Sequence, residues 1–163
     1  FTGAVLDLLE SHGAHVFAHG RNKPVGGPHD SEALYGSVTQ GLMRAFEKYI
    51  HNRAGTRGSG LILMDRRSES RDVQLLSSAQ SYLFSAQDEI PGGFHRLVEV
   101  PMLVRSEWHH AVQAADTVAR VVGKVFRYRL TADQSCKKFD DKLGPQLQTL
   151  GYSIGNWSSF YVV

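Results

Sequence analysis

Two carboxylates stand where chemistry is most easily built. Asp65 ends the apolar run Leu61-Ile62-Leu63-Met64. A carboxylate directly after a buried strand is rigidly held and partly desolvated, which suits a divalent-ion ligand that must keep fixed geometry. The alternative is an Asx turn leading into Arg66-Arg67-Ser68. Asp116 follows Gln113 by three residues among Ala and Val, so on a helix the two share a face at the edge of the apolar stripe. Its alternative is pairing with Arg120, four residues on, worth only a few tenths of a kcal/mol if exposed.

Other reactive types are present without a pattern. The 8 His show no HExxH spacing and no Cys partners, which argues against zinc. A Gly-x-Ser-x-Gly elbow is absent, and Gly58-Ser59-Gly60 opens a strand rather than a helix, so neither a hydrolase nucleophile nor a phosphate loop is expected. Ser106 stands just before a long helix, as its N-cap or the residue before it. Arginines and lysines come in three groups: Arg44, Lys48, Arg53 and Arg57; Arg66, Arg67 and Arg71; and Arg120, Lys124, Arg127 and Arg129. They are either solvated helix faces or phosphate-steering surfaces.

The elements that must position these residues follow from periodicity. Ala4, Val5, Leu8 and Leu9 recur at helical spacing, and Gly13 stands where a left-handed C-cap is expected. A short strand is expected at 15–19, then a Gly/Pro loop to Asp30. Asp30 or Ser31 caps a long amphipathic helix ending near Arg53, with Leu34, Val38, Gly41, Ala45 and Tyr49 on its stripe. The run at 61–64 lacks alternation and predicts a central strand covered by helices on both sides. Ser70 or Asp72 caps a helix with a stripe of Leu76, Ala79, Leu83 and Ala86, which Pro91-Gly92-Gly93 closes. A strand at 97–100 meets Pro101, which predicts a strand end or sheet edge. From Trp108 to about Arg129 a third long helix sets Ala111, Ala115, Val118, Val122 and Val125 against Gln113, Asp116, Arg120 and Arg127. Strands alternating with helices indicate βα units and an α/β class.

Composition bounds the rest. With 163 residues, 42% hydrophobic and 21% charged, the chain is long enough to bury a core as one domain, 1–163, with residues 130–163 packing on it as a tail. No stretch approaches the roughly 20 apolar residues of a membrane helix, and the chain opens without a basic, apolar leader. A single cysteine, Cys136, excludes an internal disulfide and favours a reducing compartment, so the cytoplasm is expected. A formal charge of +2 argues neither for nor against nucleic acid.

The order of these pieces resembles the domain-of-unknown-function family 3800. The resemblance is carried by Leu61-Ile62-Leu63-Met64-Asp65-Arg66, by Glu99-Val100-Pro101 leading to Ser106, and by Val112-Gln113-Ala114-Ala115-Asp116-Thr117-Val118-Ala119. It spans about residues 16–129. That family looks like a branch of the ribonuclease H-like superfamily, so the resemblance implies a mixed sheet with helices on both faces. It also implies a nuclease dependent on Mg²⁺ or Mn²⁺, with Asp65 and Asp116 as metal ligands and catalytic residues. Gln113 would steady Asp116, Ser106 would support the site, and Arg66, Arg67 and Arg120 would contact the phosphates of a nucleic acid. The family's opening strand, with Asp-Glu-Ser or Asp-Asp-Ser, has no counterpart here, since His29-Asp30-Ser31-Glu32 follows a Gly/Pro loop; either it lies upstream of Phe1, as the missing Met favours, or the protein lacks it. The alternative function is a non-catalytic binding or assembly module on the same fold.

Overall fold

The computed structural model describes residues 2–16, 18, 30–54, 58–85 and 96–150. In chain order they form α1 (Thr2–Ser11), α2 (Ser31–Ala54), β1 (Leu63–Asp65), α3 (Glu69–Ser85), β2 (Met102–Val104), α4 (His110–Thr131) and α5 (Lys137–Thr149), with 3₁₀ turns at Ser106–Trp108 and Gln134–Cys136. They divide into two compact units, one built from α1, α4 and α5 and the other from α2, β1, α3 and β2.

In the helical unit, α4 presents Val118, Val121, Val122 and Val125 at the i, i+3, i+4, i+7 spacing of a buried helix face. They pack with Leu6 of α1 and with Leu143, Leu147 and Leu150. Arg129 near the end of α4 pairs with Asp140 of α5, both side chains mostly buried. The expected left-handed glycine after α1 is present: Gly13 has φ 63°. Residues 137–149 are helical despite Gly144 and Pro145. A Cβ at Gly144 would stand 3.1 Å from Asp140 Oδ1 and 3.2 Å from Arg129 Nη2, so the bare backbone there makes room for the ion pair.

In the other unit α2 packs on α3, and β1 pairs with β2 in parallel, Leu63 against Met102, Met64 against Leu103 and Asp65 against Val104. Met43, Ala79 and Leu97 are its buried apolar centre, with Phe46, Ile62, Tyr82 and Leu83 around them. Gly60 is required: a Cβ there would lie 2.6 Å from the Phe46 ring and would overlap Ile50.

The ribonuclease H-like mixed sheet with helices on both faces is not what forms. The described residues are mostly helical, with one two-stranded parallel sheet among them. The run Leu61–Met64 does not lie in a covered central strand, because Leu61 is 45% and Leu63 40% exposed while Ile62 packs inward. It alternates like a strand with one covered face, which four consecutive apolar letters hide. The strand expected at 97–100 reduces to a single bridge, Gly60 to Leu97, and β2 begins after Pro101 rather than ending before it. Proline lacks an N–H, so the ladder resumes only beyond it, with Met102 N–H donating to Ile62 O at 2.9 Å. Residues 14–16 are irregular, and Val16 N–H donates to Leu150 O at 3.0 Å. The rest of the strand expected at 15–19, the loop at 21–29, Pro91-Gly92-Gly93 and the aromatic tail from Trp157 lie outside the described residues apart from Ala18.

Candidate functional site at the carboxyl end of β1

Parallel strands expose their carboxyl ends to the loops that follow, and those loops gather here. Asp65, the last residue of β1, is exposed, and its Oδ1 accepts the backbone N–H of Ser106 at 3.1 Å. Arg66 N–H donates to Val104 O at 2.9 Å, extending the ladder one step past the strand. Ser106 opens the 3₁₀ turn that follows β2, while the residue capping α4 is His109, so Ser106 is not that helix's N-cap. Asp65 thus bridges the ends of both strands and caps the turn. Among the described residues its Oδ2 accepts no hydrogen bond, and the residue is exposed.

The chain after Asp65 is held by carboxylates that sequence reasoning did not assign to the site. Asp72, buried in the first turn of α3, accepts Arg67 N–H at 3.0 Å and lies 3.5 Å from Arg66 Nε. Arg67 Nη1 lies 3.1 Å from Glu32 Oε2 on α2, and its guanidinium stacks 4.0 Å from the centroid of the Tyr35 ring. Arg71 Nε reaches the other oxygen of Glu32 at 3.3 Å. Burial pushes the Tyr35 hydroxyl up from its ordinary value of 10.0; Arg67 opposes this, and the charges of Asp65, Glu32 and Asp72 add to it. Glu32 and Tyr35 are one helical turn apart on α2, while Arg67 comes from the irregular stretch before α3, so no periodicity in the sequence marks the group.

Arg67 is therefore enclosed between Glu32 and Tyr35, with its side chain 22% exposed, whereas Arg66, beside Asp72, is 56% exposed. Asp116, Gln113 and Arg120 belong to the helical unit, all exposed on α4. Arg120 Nη2 lies 2.6 Å from Asp116 Oδ2, the i, i+4 pair that spacing allowed. Gln113 sits on the first turns of α4, where its carbonyl accepts from Thr117 Oγ1 at 3.1 Å.

Whether these residues fit a divalent ion can be judged from their donors. An exposed carboxylate, fixed by a backbone N–H through one oxygen and open at the other, suits a hard cation. Among the described residues no three His, Cys, Asp or Glu side chains gather into a chelating group.

Compared with family models, curated proteins and solved structures, the chain matches none. Among the described residues no helix is long and apolar enough to cross a membrane.

Proposed function

We propose that this chain serves divalent-metal-dependent phosphodiester hydrolysis on a nucleic acid, with Asp65 as a ligand for Mg²⁺ or Mn²⁺. The observation that supports this reading is the position of Asp65: an exposed carboxylate at the carboxyl end of a parallel strand, anchored through Oδ1 by Ser106 N–H. The bound ion supplies Lewis-acid stabilisation of phosphate charge and an activated water. The protein's part is to hold Asp65 in one orientation and to present Arg66, from the same unit, to phosphate oxygens. The lone cysteine, buried at position 136, supports a cytoplasmic setting.

The test is cleavage of single- and double-stranded DNA and RNA with Mg²⁺, with Mn²⁺ and with EDTA, on the wild type and on Asp65→Asn. Metal-dependent cleavage abolished by Asp65→Asn, with an unchanged melting temperature in EDTA, is the expected result. Full cleavage by Asp65→Asn would overturn the assignment. A second reading, a non-catalytic binding module, is favoured by the pairing of Asp116 with Arg120, since a carboxylate held by a guanidinium is less open to a cation. It predicts salt-sensitive nucleic-acid binding with no cleavage.

A further inference from the structure

Trp108 is 73% exposed, more than any other large apolar side chain among the described residues. It ends the 3₁₀ turn Ser106–Trp108 that follows β2, the same turn whose first N–H is held by Asp65 Oδ1 at 3.1 Å. We propose that Trp108 is a stacking platform for an unpaired nucleobase. The proposal rests on the hydrolase reading and deepens it by naming single-stranded nucleic acid as the substrate class.

The ring is steadied from one side and open on the other. The Arg105 guanidinium lies 5.3 Å from the centroid of the indole, towards the outer limit of a cation–π contact. A ring that stays mostly exposed with one face under a guanidinium has its other face in water. Trp108 N–H donates to Arg105 O at 3.1 Å, which fixes the turn that carries the ring. Among the described residues the Arg105 side chain has no hydrogen-bond or carboxylate partner, so its donors remain for a ligand.

Indole and guanidinium also anchor protein interfaces, but such anchors sit at the centre of a well-packed, desolvated surface. The residues flanking this ring, Arg105, Ser106, Glu107 and His109, are polar or charged. A nucleobase needs only a ring-sized face, and a neighbouring arginine strengthens the stack. In a duplex each base face is covered by the next base pair, so only a single strand or an unpaired end can lie on Trp108. The platform selects no particular base, since every base has a π face. Ser106 touches Asp65 and Trp108 stands two residues on, at most about 7 Å of chain, so ring and carboxylate share one end of the sheet.

The experiment is fluorescence anisotropy, in EDTA, of a labelled oligodeoxyadenylate, as a single strand and annealed to oligothymidylate. The single strand is expected to bind about tenfold more tightly than the duplex, and Trp108→Ala to remove that preference. Trp108→Phe keeps a ring and should retain most of it. Because the side chain is exposed, both variants should melt like the wild type. In Trp157→Phe, which leaves Trp108 as the one indole, the single strand should quench the tryptophan emission. Equal affinity for the two forms, single-strand binding unchanged in Trp108→Ala, or absence of quenching would each overturn the platform. Asp65→Asn should keep single-strand binding in EDTA. Binding that depends on Trp108 without any metal-dependent cleavage would support the platform and count against the hydrolase reading. Cleavage that depends on Asp65 but is indifferent to Trp108→Ala would do the reverse.

Discussion

Glu47 Oε2 accepts the backbone N–H of Leu97 at 2.9 Å, across fifty residues of chain, and its Oε1 accepts Arg96 N–H at the same distance. The side chain is 2% exposed, on the same buried line of α2 as Met43 and Ile50. A carboxylate so deep in a helix face is tolerated because two main-chain donors satisfy it, and those donors fix the segment that leads into β2. Glu47→Ala would strand both N–H groups and open a cavity, so a loss of roughly 2–4 kcal/mol is expected. Glu47→Gln keeps one acceptor oxygen and should cost less. Urea unfolding of the two variants measures the difference, and an Ala variant as stable as wild type would refute this role.

A side chain at Gly60 must displace its neighbours. A methyl group placed 2.6 Å from the Phe46 ring forces the Phe46 and Ile50 side chains to shift, so Gly60→Ala should destabilise by about 1–3 kcal/mol. Shortening the opposing side chains should restore part of the loss. Thermal melts of Gly60→Ala with and without Phe46→Leu check this, and a neutral Gly60→Ala would show that the helix and strand are not in contact there.

Tyr35 makes a pH prediction of definite sign. Its hydroxyl titrates above 10.0 in the folded protein, because burial disfavours tyrosinate and the Asp65, Glu32 and Asp72 charges repel it. The folded state therefore binds the Tyr35 proton more tightly than the unfolded state. The stability this contributes is fully present below pH 10.0 and is lost as pH rises through the raised value. Tyrosinate absorbance should show one late-titrating ring, absent in Tyr35→Phe. Arg67→Ala should move that titration higher still, since the guanidinium lowers it.

Asp116 and Arg120 test function apart from folding. Their side chains are 61% and 76% exposed, so breaking the pair should change stability by only a few tenths of a kcal/mol. Any large loss of cleavage or nucleic-acid binding in Asp116→Asn would then report on chemistry rather than on the fold. A variant that melts far lower would instead identify Asp116 as structural.

The helices were legible because their buried faces are written in hydrocarbon: Val118, Val122 and Val125 fell on the stripe that α4 buries. The stripe of α2 was read on the wrong residues. Leu34, Val38, Ala45 and Tyr49 are half-buried, while Thr39, Met43, Glu47 and Ile50 are the buried line, and hydropathy counts Thr39 and Glu47 as surface. The helix at 137–149 was obscured by Gly144-Pro145, although proline near its carboxyl end leaves most of the helical hydrogen bonds in place. Asp65 could be singled out from its position after an apolar run. Its neighbours Glu32, Tyr35 and Asp72 could not, since only the packing of α2 on α3 and the turn after β1 bring them to Arg67.

Between the Gly60 bridge and the β1–β2 ladder, the second segment advances two residues further than the first. The two extra residues are taken up between Val98 and Pro101, which bend away from the ladder instead of pairing. Met102 and Leu103 take their faces from pairing with Leu63 and Met64, not from the length of the chain before them. Insertions and deletions of either parity between Val98 and Pro101 should therefore leave the exposure of Met102 and Leu103 unchanged.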